Sequence, residues 1–227
     1  MRNSPLAGVL LTNADVDHVI GLYSLREGER LQIHATTAVQ RAAGQLGVTR
    51  VLEAFCGVDW REPPTGKLAR LRGKEDRETN LLFRAIPLSG SAPRYLGKIS
   101  DDGIYSVAYQ IVDERSGARV LVAPGVAALS GALQEAARDS TAVLMDGTFW
   151  SEDELRCIKP GAATASEMGH LPIRDGTLPF LRGLPCRHKI YVHINNTNPI
   201  LDPGSAERAA VEAAGVTVGW DGMSLEL

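Results

Sequence analysis

The chain has 227 residues, 44% of them hydrophobic, which is enough to bury a sizeable core. Its 24 Lys and Arg residues and 27 Asp and Glu residues give a formal net charge of −3, so no basic excess exists for nucleic acid or an anionic membrane surface. No apolar run reaches the roughly 20 residues that span a bilayer and no signal-peptide pattern opens the chain, so we expect a single cytoplasmic domain over residues 1–227, with neither nucleic acid nor membrane as partner.

The pattern of apolar residues predicts strands and helices in alternation at both ends of the chain, with short strands between them. The predicted strands cover 6–11, 31–35, 81–88, 104–112, 120–123, 141–145 and 189–194, with closing pieces at 216–220 and 224–227. The predicted helices cover 36–46, 130–137, 151–156 and 205–214, after a short helical stripe at 19–25. The charged stretch 63–80 is expected to be a surface loop. Mixed sheets with flanking helices favour an α/β fold of the four-layer αββα type.

The loop after the first predicted strand carries several groups that bind metals. Asp17 and His18 lie in this loop, and His193 ends the predicted strand 189–194. Together they supply the two histidines and one carboxylate that hold a metal for redox chemistry with positions left open for substrate. Ligands gather at strand ends in open α/β sheets. A histidine at a strand end can equally be a hydrogen-bonded structural residue, so the residues alone leave both interpretations open.

Two further residues are candidates for the same chemistry. Asp146 follows the predicted strand 141–145, where it can be a metal ligand, an acceptor that orients a ligand histidine, or an N-cap. Ser151 already suits the cap position, which weakens the last interpretation. His170 lies in a loop between Gly169 and Pro172, and roles in acid/base chemistry, metal binding and structure all remain open for it.

A family resemblance rests on five segments, which are LLTNADVDH at 10–18, APGV at 123–126, DGTFW at 146–150, MGHLP at 168–172 and HINNTNPIL at 193–201. Their order and spacing resemble the coenzyme PQQ synthesis protein B family of the metallo-β-lactamase superfamily along essentially the whole chain. The resemblance implies an α/β, four-layer αββα metallo-β-lactamase-like sandwich. The opening quarter of the family pattern has no counterpart in this sequence, so we expect the N-terminal strands of the fold to be missing.

The resemblance also implies that one metal position has been lost. In the superfamily signature His-x-His-x-Asp-His, Asn13 and Asp15 stand in place of the first two histidines, whereas Asp17 and His18 are retained. Segment 123–126 has no carboxylate where hydrolytic relatives carry an aspartate that bridges two metals. The implied site is therefore mononuclear, with Asp17, His18 and His193 as ligands, and differs from the two-metal clamp of a hydrolase.

The activity implied by the resemblance is a step in the biosynthesis of pyrroloquinoline quinone (PQQ). It is the iron(II)- and dioxygen-dependent hydroxylation of the tyrosine ring of a Glu-Tyr precursor, with zinc as the other metal that the ligands accept. Asp146 and His170 are then the expected catalytic residues. Asn195, Asn196 and Asn198 are expected to bind the substrate.

Two alternative functions and several partners remain open. One alternative is a non-catalytic carrier of PQQ or its precursor towards the periplasm, and the weaker one is a metal-dependent hydrolase. The expected partners are the peptide-derived precursor, other PQQ biosynthesis proteins and a second copy of the chain in a homodimer.

Overall fold

The computed structural model describes residues 6–97 and 101–227, which form two compact units. The first unit ends at Tyr109 and the second runs from Gln110 to Leu227. Whether residues 1–227 act as a single domain stays a prediction. No helix among the described residues has the length and apolar character needed to cross a membrane.

Strands and helices alternate towards both ends of the described residues, with successive strands over 58–123 between them, as the sequence predicts. The strands of the described residues are β1 Val9–Leu10, β2 Leu31–His34, β3 Val58–Arg61, β4 Ala69–Arg72, β5 Glu78–Pro87, β6 Val107–Asp113, β7 Arg119–Ala123, β8 Ala142–Asp146, β9 His188–Val192 and β10 Thr217–Val218. The helices are α1 Val16–Val19, α2 Thr37–Gln45, α3 Val48–Phe55, α4 Gly131–Arg138, α5 Glu154–Ile158, α6 Leu178–Arg182 and α7 Ala206–Ala213. A 3₁₀ segment, Ile20–Arg26, continues α1.

The first unit contains a parallel three-stranded sheet in the order β1-β2-β3. Ile33 of β2 lies opposite Val9 on one side and Trp60 on the other. The hydrophobic core of the first unit includes Ile33 of the sheet, Val39 of α2 and Leu52 of α3, which are all fully buried. Asp17 and His18 were predicted to lie in a loop, but they belong to α1, which follows a strand held in register by its neighbour.

The sequence did not predict α3, α6, β3 or β4. The β-branched residues Val48 and Val51 favour a strand, but Val48 and Leu52 lie four residues apart and are both buried, as one face of a helix requires. Strand β4 lies within the stretch 63–80, which was wrongly expected to be loop, and it pairs with β5 in antiparallel register. Residues 224–227 form no strand.

The second unit contains four parallel strands in the order β10-β9-β8-β7. Met145 of β8 lies opposite Ala123 of β7 and Tyr191 of β9, so the three strands end at the same level. The loops after these strands meet at one edge of the sheet, which is where ligands collect in folds of this type. Asp146, at the end of β8, and His193, directly after β9, therefore lie at the same edge of the sheet.

Gly147 allows the loops after β8 and β9 to approach closely. A Cβ at this position would lie 3.0 Å from the Tyr191 Cβ and 3.0 Å from the Val192 carbonyl oxygen. The Gly147 N–H donates to that same carbonyl oxygen at 2.8 Å. A larger residue would push apart the two loops that bear Asp146 and His193.

A buried histidine in the first unit is held in its neutral form. His34 is 6% exposed and packs edge-on against Phe83, with ring centroids 4.9 Å apart. With the Gln32 amide oriented so that its oxygen accepts from Arg61, its nitrogen donates to His34 Nε2 at 3.2 Å. Burial, and then the charge of Arg61, lower the pKa of His34.

We expect the substitution His34→Phe to make the protein less sensitive to acid. In the unfolded wild-type chain this histidine binds a proton below about pH 6.5, whereas in the folded protein it stays neutral to lower pH. The free energy of unfolding therefore falls as pH drops through that range, by up to about 1.4 kcal/mol per pH unit from this group. Urea denaturation at about pH 7.5 and about pH 5.5 measures the loss. Equal losses in the wild type and the variant would contradict this account.

Candidate functional site

The buried carboxylate of Asp146 organises the strand-end edge of the second unit. Asp146 is 1% exposed, and its Oδ2 accepts from the Val126 N–H at 2.8 Å and from His170 Nδ1 at 2.7 Å. Its Oδ1 accepts from the Thr148 N–H at 3.0 Å and from Thr148 Oγ1 at 2.5 Å. These four bonds use the acceptor positions of a carboxylate. Asp146 therefore joins the loops that follow β7 and β8 to the loop of His170.

The charge state of Asp146 follows from these contacts. Burial raises the pKa of a carboxyl, but the bond from His170, the nearby His193 and the bond from Thr148 outweigh burial and hold the pKa of Asp146 below its usual value. An ionised Asp146 with its acceptor positions used is suited to orienting its partners. Of the three roles open from the sequence, the geometry favours the acceptor that orients a histidine.

The contact with Asp146 sets the protonation of the His170 ring. An ionised carboxylate only accepts hydrogen bonds, so His170 Nδ1 must carry the proton of this bond. Nε2 is then the atom that can accept a proton or bind a metal. The His170 side chain is 16% exposed, and Phe149 packs edge-on against its ring at 5.8 Å between centroids. The His170 ring is therefore held in one orientation, and its Nε2 atom belongs to a largely buried side chain.

His193 is oriented by Asp146 through Thr148. His193 Nδ1 lies 3.8 Å from Asp146 Oδ1, which is too long for a hydrogen bond, but 2.8 Å from Thr148 Oγ1. The Thr148 hydroxyl has one proton, and the charged carboxylate at 2.5 Å is a stronger acceptor than the His193 carbonyl oxygen at 3.0 Å. The hydroxyl therefore donates to Asp146 and accepts from His193 Nδ1. This leaves the lone pair of His193 on Nε2, the form in which a histidine binds a metal.

The two histidines lie side by side. The rings of His170 and His193 stack with centroids 5.5 Å apart and an angle of 26° between their planes. Ligand atoms of Asp146, His170 and His193 all lie within 4.8 Å of one another. Strand β9 ends at Val192, one residue before His193, whose φ of 55° lies in the left-handed region. This conformation ends the strand earlier than the sequence predicts and is uncommon for a residue other than glycine.

The asparagines after His193 differ in their surroundings. Asn198 is 2% exposed; its Nδ2 donates to the carbonyl oxygens of Gly147 and Thr148, and its Oδ1 accepts from the Ile200 N–H. These bonds favour a role for Asn198 in holding the β8 and β9 loops together over contact with a substrate. Asn195 is half-buried and Asn196 is exposed. Substrate contact by either remains a prediction.

The first unit contains the other two predicted metal ligands. His18 Nδ1 lies 3.2 Å from Thr12 Oγ1, and His18 Nε2 lies 3.9 Å from Asp17 Oδ2. Asn13 accepts a bond from the Asp15 N–H at its side-chain oxygen and thereby shapes the turn before α1. His18 and His193 thus share one local feature, because a threonine hydroxyl contacts Nδ1 in each.

Sequence reasoning missed the threonines and one glutamate that support these loops. Thr12 and Thr148 contact the histidines, and Glu154, which is 8% exposed, accepts from the Trp150 N–H and from Thr197 Oγ1. Glu154 lies in the acidic run 152–154, and acidic residues are common at the N-terminus of a helix, so the sequence did not single it out. A threonine two residues after a strand-end aspartate was the one signal available for Thr148.

Comparison with known proteins places these features in context. A family model described as a beta-lactamase superfamily domain matches residues 1–194. Over its full length, the chain is 37% identical to coenzyme PQQ synthesis protein B of Rhizobium meliloti (strain 1021), of which it covers 74%. It is 36% identical to the protein of that name from Cupriavidus taiwanensis, of which it covers 75%.

Solved structures agree with the sequence comparison. The crystal structure of Zn²⁺-bound PqqB from Methylobacterium extorquens matches 100% of this chain and 75% of that one, with a TM-score of 0.86 and 31% identity. Human tRNase Z, short form, matches 96% of this chain and 77% of its own, with a TM-score of 0.61 at 13% identity, which shows likeness of fold alone. The predicted α/β, metallo-β-lactamase-like fold class is confirmed.

We expect Thr148→Val to weaken metal binding about 10- to 100-fold, because it removes the hydroxyl that fixes the His193 ring. Titration with Zn²⁺ against a chromogenic chelator measures the affinity. Thr177→Val is the matched control, since Thr177 is fully buried and its hydroxyl contacts the Tyr191 hydroxyl. An equal loss of affinity in both variants would contradict the role given to Thr148.

Proposed function

The chain belongs to the coenzyme PQQ synthesis protein B family of the beta-lactamase superfamily, and from this premise we propose that it acts in PQQ biosynthesis as a metal-dependent oxygenase. The reaction we propose is hydroxylation of the tyrosine ring of a Glu-Tyr precursor with iron(II), dioxygen and a two-electron reductant, in which one oxygen atom enters the ring and the other leaves as water. The observation that carries the proposal is the Asp146–Thr148–His193 chain of hydrogen bonds, because it leaves His193 Nε2 as a metal-binding atom.

The donor set fits a single metal ion. We propose Asp17, His18 and His193 as its ligands, a carboxylate and two imidazoles of the kind that bind iron, zinc or manganese. The threonine contact at Nδ1 of each histidine favours Nε2 as the ligand atom. When bound, iron supplies the redox chemistry that a reaction with dioxygen requires.

Segment 123–126 supports one metal over two. It contains no carboxylate, and the N–H of its last residue, Val126, donates to Asp146. A two-metal hydrolase needs a ligand that bridges both ions. This segment offers none from its side chains, which weighs against hydrolysis as the function of the chain.

His170 is the residue that we propose for proton transfer. Its Nδ1 donates to Asp146, so a proton taken up at Nε2 would leave a cation beside an ionised carboxylate. A buried carboxylate stabilises such a cation and keeps the ring in one orientation. We therefore assign His170 the exchange of a proton with the substrate and assign Asp146 the positioning of both His170 and His193.

We expect the metal-free protein to bind about one equivalent of iron(II) under anaerobic conditions, and His18→Ala and His193→Ala each to abolish this binding. Each substitution removes one of three ligands, and two ligands hold such an ion weakly. Metal analysis after gel filtration gives the stoichiometry. His188→Ala is the control, because His188 lies at the other end of β9 from His193. Iron retained by both ligand variants would contradict the proposed site.

The oxygenase reaction is tested directly with a Glu-Tyr peptide. The iron-loaded protein is mixed with the peptide and ascorbate as reductant without oxygen, oxygen is then admitted, and mass spectrometry detects oxygen added to the tyrosine ring. We expect a hydroxylated product from the wild type and a rate about 10²- to 10⁴-fold lower from His170→Ala. If the protein binds the peptide or PQQ but no oxygen is incorporated into the tyrosine ring, the result would contradict an oxygenase function and support a carrier function.

A further inference from the structure

A chain of three polar side chains supports the loop that follows His193. Asn195 Nδ2 lies 2.6 Å from Thr197 Oγ1, and Thr197 Oγ1 lies 2.6 Å from Glu154 Oε1. The other carboxylate oxygen of Glu154, Oε2, accepts from the Trp150 N–H at 2.6 Å. The chain of contacts thus runs from the first turn of α5 to the loop beside His193.

The buried carboxylate of Glu154 fixes the direction of each hydrogen bond in this series. A carboxylate accepts, so the Thr197 hydroxyl must donate its single proton to Glu154. The Thr197 oxygen can then only accept from Asn195, which must turn its NH₂ group towards Thr197. The Asn195 amide therefore has one orientation, with its Oδ1 atom directed away from Thr197.

Asn195 Oδ1 remains as an acceptor at the candidate site. Within residues 6–97 and 101–227 it makes no hydrogen bond, and Asn195 is only half-buried. The backbone of Asn195 is held in place, because its N–H donates to the Thr148 carbonyl oxygen and its own carbonyl oxygen accepts from the Asn198 N–H. Thr148 is the residue that orients His193, so this acceptor is anchored to the same support as a proposed metal ligand.

We propose that Asn195 Oδ1 accepts a hydrogen bond from an amide N–H or ammonium group of the substrate, and that Glu154 is a positioning residue that sets this preference through Thr197. The inference rests on the proposed function, since it assumes that the substrate binds beside His193. It names the chemical group that the loop selects. A ligand that presents only acceptors to Asn195 would leave both partners without a donor.

The substitution Glu154→Gln is expected to reverse the direction of the hydrogen bonds that link residue 154 to Asn195 through Thr197. The Trp150 N–H needs an acceptor, so the new amide places its oxygen there and its NH₂ group towards Thr197. Thr197 then accepts from residue 154 and donates to Asn195, whose amide turns and presents NH₂ to the substrate. The preference for a donor group is lost or inverted while the side chain of Asn195 is unchanged.

Two probes that share a phenol ring and a carboxylate test this inference. L-Tyrosine carries an ammonium group, and 3-(4-hydroxyphenyl)propionate lacks it. NMR titration of the Zn²⁺-loaded protein gives both dissociation constants. We expect the wild type to bind L-tyrosine about tenfold more tightly, the effect of one hydrogen bond to a charged donor, and Glu154→Gln to bring this ratio to one or below.

A neighbouring glutamate is the matched control. Glu152 accepts from the N–H and Oγ of Ser166, in a different loop, so Glu152→Gln should keep the wild-type ratio. Asn195→Leu should lose the preference, whereas Asn195→Asp, which retains an acceptor, should keep it. These two variants decide the question if Glu154→Gln does not fold.

Three results would overturn the inference. They are an equal affinity of the wild type for both probes, an unchanged ratio in folded Glu154→Gln or Asn195→Leu, and binding of neither probe. Metal binding that depends on His18 and His193, measured in the same samples, would leave the proposed metal centre standing in each case.

Discussion

Burial of the Asp146 carboxylate requires hydrogen-bond donors to converge on it, because an unpaired charge in a protein interior is strongly destabilising. The donors come from Val126, Thr148 and His170, which lie in three loops. The structure thus satisfies one buried charge by gathering the chain segments that form the candidate site. The orientation of the His170 and His193 rings depends on this carboxylate, directly for His170 and through Thr148 for His193.

The contact between segment 123–126 and Asp146 supports the proposed site with one metal. Segment 123–126 offers no carboxylate, and its backbone serves Asp146 by donating the Val126 N–H. A carboxylate with its acceptor positions used by protein donors is poorly placed to bind a metal itself. The arrangement supports a site in which Asp146 orients the groups that act and the histidine Nε2 atoms meet the metal or substrate.

Features that depend on local pattern could be predicted from the sequence. Helices α2, α4 and α7 follow Thr36, Ser130 and Ser205, whose side chains accept from the helix backbone as N-caps. Asp146 and His193 were found because strand ends of a parallel sheet share an edge. Thr148, Thr197 and Glu154 were missed, since hydrogen bonds between loops leave no periodic trace in the sequence. The sequence predicted the same role, substrate contact, for all three asparagines. In the structure Asn198 is buried whereas Asn195 is half-buried.

The central claim is that Asp146 fixes the protonated nitrogen of both His170 and His193. The most direct measurement is ¹⁵N NMR of the histidine side chains in the metal-free protein at about pH 7.5, where the shifts of the two ring nitrogens identify the one that carries the proton. The account predicts that both rings carry it on Nδ1 and that Asp146→Asn abolishes this state. Protonation of either ring on Nε2 in the wild type would contradict the account.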